Sequence, residues 1–144
     1  MGDDHRARTR GWDNDYLEAL ETLGTGFVYG NDLFQYEAIP TQVAMTTNIP
    51  RALGYMVPPG FQHLCVDVVW KDWGMALNRL TYLPETVVEH MHPLAGKGKD
   101  DVNYKEVNSH LVANADIAEY ARYNDSGEFG GDVARLKALS GMQH

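Results

Sequence analysis

One cysteine, Cys65, stands in a chain of 144 residues, so no internal disulfide can form, and a reducing compartment fits. Basic residues are also scarce: 12 Lys and Arg face 20 Asp and Glu, for a formal net charge of −8. That balance excludes nucleic-acid binding through a general basic surface. The only dense basic run, Arg6, Arg8 and Arg10, lies beside two acids. No apolar run approaches the roughly 20 residues of a membrane span, and the charged first thirty residues hold no secretory apolar segment. These absences predict a soluble cytoplasmic protein with no nucleic-acid partner and no membrane span. What is present, 44% hydrophobic residues, suffices for one globular domain with a real core.

Helix and strand signals alternate over residues 1–93. Asp13 is a helix cap ahead of an apolar stripe of Tyr16, Leu17, Leu20 and Leu23, and Gly24 ends that helix. Phe27-Val28-Tyr29 reads as a short buried strand closed by the turn residues Gly30-Asn31-Asp32. A second strand is expected over residues 41–47, and Asn48 with Pro50 starts a short helix ending at Gly54. Val66, Val69, Trp70, Trp73, Leu77 and Leu80 recur at helical spacing and predict a buried helix over 66–79. Thr81–Leu83 and Thr86–Val88 flank Pro84, which fits an edge or interrupted strand better than a central one. After Pro93 comes a Gly/Lys-rich link. A helical tail follows, with Asn114 a cap, Gly130-Gly131 a break and Val133, Leu136 and Leu139 on a last amphipathic helix. The expected division is therefore 1–93 and 94–144, in an α/β fold with a helical tail.

Residues able to carry chemistry are few. Asp3, Asp4 and His5 offer carboxylate oxygen and imidazole nitrogen, which suit Mn²⁺ or a similar ion, although acids near a terminus are commonly just solvated. His90 and His92 stand two apart at the end of a strand signal, and residues so spaced share a face while the strand persists. Asp67 opens the buried helix between Val66 and Val68, as a cap favoured by the helix dipole or as a general base. Cys65 has no adjacent base and reads as a small core residue. Lys97 and Lys99 lack the spacing of a phosphate-binding loop.

The order of these features is more specific than any one of them. Gly2-Asp3-Asp4-His5, then Arg10-Gly11-Trp12 and a helix, resembles the Asp-x-Asp metal loop of family 2-like glycosyltransferases with the GT-A fold, in the Asp-x-His variant. Further on, Asp67 of Val66-Asp67 matches the aspartate of a Glu-Asp pair that opens a helix in that family, without the glutamate. Leu83 to Pro93, containing Glu89-His90-Met91-His92, matches its strand ending in histidine. The stretch is similar to glycosyltransferase-like proteins of actinobacteria and their phages, over residues 2–93 and more loosely to about 110.

The resemblance implies a metal-dependent transfer of sugar from a nucleotide-sugar to an acceptor hydroxyl, inverting, with Mn²⁺ or Mg²⁺ as cofactor. Asp3 and His5 take the metal-ligand positions, with His90 a third ligand and His92 second to it. Asp4 between them, Trp12 and His63 are implied at the substrate, and Asp67 as the base. It also implies a partial GT-A-type, Rossmann-like fold. The roughly hundred residues of βαβ structure that hold the nucleobase and ribose in that family have no counterpart here. The expectation is a truncated frame, or a second polypeptide that supplies that half, and weak or no activity from this chain alone. The competing readings are a non-catalytic carbohydrate-binding or interaction remnant and, less well matched, a metal-dependent hydrolase.

Overall fold

The computed structural model describes residues 4–97 and 109–141; Asp3, Lys99, Val102 and Val107 lie outside them. Strand β1 (His5–Ala7) leads into helix α1 (Trp12–Leu23), then β2 (Phe27–Asn31) and β3 (Val43–Met45). Helices α2 (Asn48–Leu53) and α3 (Val66–Leu77) precede the long strand β4 (Leu80–His90) and a 3₁₀ turn (Pro93–Ala95). Helices α4 (His110–Asp125) and α5 (Glu128–Gly141) follow. The strands form one mixed sheet in the order β1-β4-β2-β3, with β4 parallel to β2 and the other pairs antiparallel. The expected α/β class is the class found.

Strand β2 is buried almost throughout because both faces of the sheet are covered. Phe27 joins Ile49, Leu53, Val69, Trp73, Tyr123, Val133 and Leu136 in the larger core. Val28, one residue on, faces Tyr16 of α1 and Val88 of β4. Helix α1 thus covers one face, and α2 to α5 cover the other. The helical segment expected as a tail supplies three of the buried residues of the larger core.

Several local expectations are corrected. Helix α1 begins after Gly11, whose φ of 77° suits glycine, and Asp13 sits in its first turn rather than at the cap. Leu17 is 56% exposed, so the buried stripe is Tyr16, Leu20 and Leu23. Strand β4 has neighbours on both sides, and it is interrupted at Pro84 as expected. The ladder explains this: Leu80 to Leu83 pair with Phe27 to Gly30, then the register jumps and Asn31 faces Val87. Proline has no N–H to give a ladder, and it falls in the skipped segment. Helix α4 is capped by Ser109, whose Oγ accepts from the Val112 N–H, and it runs through Asn114. Helix α5 runs through Gly130-Gly131. Two glycines cost a helix about 1 kcal/mol each relative to alanine, and burial of Val133 and Leu136 immediately afterwards offsets this.

Candidate metal centre

The first strand is only three residues long, yet its register decides the site. His5 lies directly opposite His90 in the antiparallel β1–β4 pair, and cross-strand neighbours of this kind bring their side chains into contact. The two imidazoles stack with centroids 4.3 Å apart and planes within 15°. Asp4 continues the ladder, its carbonyl accepting from the Met91 N–H at 2.8 Å. Its carboxylate bridges one nitrogen of each ring: Oδ1 is 3.1 Å from His5 Nδ1, and Oδ2 is 2.9 Å from His90 Nε2. One donor atom from each of Asp4, His5 and His90 lies within 4.8 Å of the other two. His90 comes from more than eighty positions beyond the adjacent Asp4 and His5.

A second aspartate stands behind His90. Asp32 follows β2, and its carbonyl accepts from the His90 N–H at 2.9 Å. Its side chain is 1% exposed, with Oδ2 3.8 Å from His90 Nδ1. Oδ1 accepts three backbone N–H groups, from Phe34, Gln35 and Tyr36, at 2.7 to 2.9 Å, and Oδ2 accepts from Thr41 Oγ1 at 2.8 Å. These bonds hold a loop in which Leu33 and Tyr36 adopt positive φ, 56° and 51°. The loop also lays Phe34 against His92, with ring centroids 5.2 Å apart.

The electrostatics follow from this packing. Burial raises the Asp32 carboxyl, but His90, the backbone N–H groups and Thr41 outweigh it and hold the group far below the usual carboxylate range. Burial likewise opposes ionisation of Asp4, and the His90 and His5 imidazoles pull it down further than burial lifts it. His90 is pushed down by burial and lifted more by Asp32 and Asp4, so its net shift is upward. His5 is pushed down to about 4, by burial first and by the neighbouring His90 next. The pocket thus pairs two ionised aspartates with one imidazole that favours the charged form and one held neutral.

That donor set fits a divalent cation. A carboxylate oxygen and two imidazole nitrogens match the preferences of Mn²⁺ and its neighbours, and the surplus of negative charge favours a positive ion. The nitrogens that face Asp4, His5 Nδ1 and His90 Nε2, would have to be unprotonated to ligate; His5 is neutral at pH 7 and keeps one proton, which ligation through Nδ1 would require on Nε2.

Only some of the other expected residues lie at the cluster. Asp4, implied beside the substrate, stands inside the cluster. Trp12 packs edge-on against Tyr16, centroids 5.4 Å apart, at the rim of the smaller core. His63 is exposed in the loop before α3. Asp67 lies in the first turn of α3, its Oδ1 accepting from the Val68 N–H at 2.9 Å. Burial raises its carboxyl, while the Val68 N–H and, more weakly, His63 and His90 hold the rise down. Cys65 caps α3 at a φ of 64° rather than filling the core. β4 ends at His90, yet the His92 ring still meets His90 edge-on, centroids 4.9 Å apart, while His92 Nδ1 accepts from the Leu94 N–H at 3.1 Å. Arg8 pairs with Glu89 at 2.8 Å, and Lys97 pairs with the same carboxylate at 2.9 Å.

No family model, curated protein or solved structure matches this chain. Among the described residues, no helix is long and apolar enough to cross a membrane. In the sequence Asp32 reads only as turn chemistry after a strand, which is common for aspartate; its place behind His90 comes from the pairing of β2 with β4.

Proposed function

We propose that the chain carries the metal loop and acceptor side of a GT-A-type glycosyltransferase, acting in metal-dependent transfer of a sugar from a nucleotide-sugar to a hydroxyl. The observation that carries this reading is the convergence of Asp4 and His5 with His90 across the β1–β4 register. It joins Asp4 and His5, the second and third residues of the Asp-x-His loop, to the strand-terminal histidine, two of the motifs on which the resemblance rests; Asp3, the implied ligand, lies outside the described residues. A bound divalent cation would supply positive charge to a departing diphosphate. The protein's own contribution is to hold the carboxylate and two imidazoles on one rigid strand pair. Asp67 adds a half-buried carboxylate with a raised proton affinity, in the electrostatic reach of His90. A carboxylate of that kind suits removal of the proton from an attacking hydroxyl. In the family resembled, other elements hold the nucleobase, so diphosphate rather than the whole donor is the direct probe.

The test is thermal melting with Mn²⁺, with and without UDP or GDP. A ligand at 100 times its Kd stabilises the native state by about 2.7 kcal/mol. Mn²⁺ alone should raise Tm, and a diphosphate should raise it further only when Mn²⁺ is present. A diphosphate shift that ignores Mn²⁺ contradicts the proposal. In a transfer assay, Asp67→Asn should lower kcat by about 10²- to 10⁴-fold and leave Mn²⁺ affinity unchanged. Equal rates for the two proteins would remove Asp67 from the role.

A further inference from the structure

We infer that Asp32 is the positioning residue of this metal centre, selecting the His90 tautomer that presents Nε2 to the cation. The inference rests on the metal-site reading above. His90 has two distinct nitrogens, and only one can ligate while the other keeps its proton. Nε2 faces Asp4 at 2.9 Å, among the ligand atoms. Nδ1 is buried, has no hydrogen-bond partner at full bonding distance, and points at Asp32 Oδ2 3.8 Å away.

An ionised carboxylate accepts a proton and offers none, so without metal Asp4 draws a proton to Nε2 as Asp32 does to Nδ1; when a cation takes the place of the Nε2 proton, Asp32 keeps Nδ1–H and leaves the Nε2 lone pair for the ion. Carboxylates that hold the distal N–H of a ligating histidine fix both tautomer and ring orientation. Asp32 is itself held in place. Its Oδ1 is committed to three backbone N–H groups, and Thr41 anchors Oδ2 at 2.8 Å. The backbone ties the same two residues, through the His90 N–H to the Asp32 carbonyl. His90 therefore lies between two aspartates with different tasks, Asp4 beside the ion and Asp32 behind the ring.

Asp32→Asn separates these roles. The amide oxygen can still accept the three loop N–H groups, while the amide N–H₂ opposes Nδ1–H and favours the wrong tautomer. Mn²⁺ affinity, read by electron paramagnetic resonance of free Mn²⁺, should fall about 10- to 100-fold, with the metal-free Tm changed far less. Thr41→Val, which frees Oδ2 to turn away, should weaken Mn²⁺ several-fold, and it carries the test if Asp32→Asn does not fold. In the Zn²⁺-loaded protein, ¹⁵N shifts of His90 should show a protonated Nδ1. Wild-type affinity in both variants, with the wild type itself binding Mn²⁺, overturns the role of Asp32 and leaves the metal site standing. Absence of Mn²⁺ binding by the wild type overturns the metal site itself.

Discussion

Asp32 and Asp116 each accept three backbone N–H groups from a loop, one from residues 34–36 and the other from residues 62–64. Both side chains are buried, and each loop includes or adjoins non-glycine residues at positive φ: Leu33 and Tyr36 in one case, Cys65 in the other. Such backbone costs about 1 kcal/mol or more per residue and persists only where surrounding bonds fix it. Charge-assisted bonds from a carboxylate to several amides are strong enough to do so. A different residue-level constraint acts at Gly30, where Gln42 substitutes for a strand neighbour. Its side-chain amide bonds both the N–H and the carbonyl of Gly30, and Tyr16 donates to the same Gln42 oxygen. A Cβ at position 30 would meet the Thr86 carbonyl at 2.4 Å and the Tyr16 hydroxyl at 2.7 Å. Gly30→Ala should therefore destabilise the fold by about 1–3 kcal/mol, measured by urea denaturation. Unchanged stability would show that this approach is less tight than described.

At the scale of elements, helix α4 reaches across to the segment that launches α3. Asp116 takes the N–H groups of Gln62, His63 and Leu64, the first two at 2.8 Å, and Tyr120 Oη bonds Asp72 on α3. The helix thus steadies the N-terminus of α3 on which Asp67 sits. Removing the carboxylate leaves those amides without their acceptor, and Asp116→Ala should cost about 3 kcal/mol. It should also speed hydrogen exchange at residues 62–64 more than elsewhere; slow exchange there in the variant would contradict the tether.

The sequence signalled α1, α2, α3 and β2 through apolar periodicity and caps, and it placed all four near their observed bounds. Pro84 marks the interruption of β4, whereas periodicity carries no information about which partner a strand pairs with. Here β4 pairs with β2 on both sides of the proline, over residues 80–83 and again at Val87, and with β1 over residues 88–90. The metal-ligand candidates His5 and His90 were legible as residue types, whereas their meeting depended on the register of a three-residue strand. Asp32 and Asp116 were hidden for the same reason: their partners are backbone amides, which every sequence has everywhere.

Across the whole molecule, the C-terminal helices are part of the core. Trp73, fully buried, donates its indole N–H to Tyr123 at 2.9 Å, and Tyr123 and Tyr55 both donate to Asp132 of α5. Tyr123, Val133 and Leu136 pack into the same cluster as Phe27 and Trp73. A variant ending at residue 109 would uncover Trp73 and lose that buried network, and it should show no cooperative thermal transition by circular dichroism. A cooperative transition near the full-length Tm would mean that residues 1–93 fold alone.

The central claim is that the β1–β4 register builds a cation site. Its most direct test is Mn²⁺ binding by the wild type, Asp4→Ala and His90→Ala, titrated side by side. The account predicts one Mn²⁺ per wild-type chain, and affinity at least about 100-fold weaker in each variant, as expected when a ligand rather than its support is removed. Equal Mn²⁺ binding by all three proteins, or none by the wild type, would contradict it.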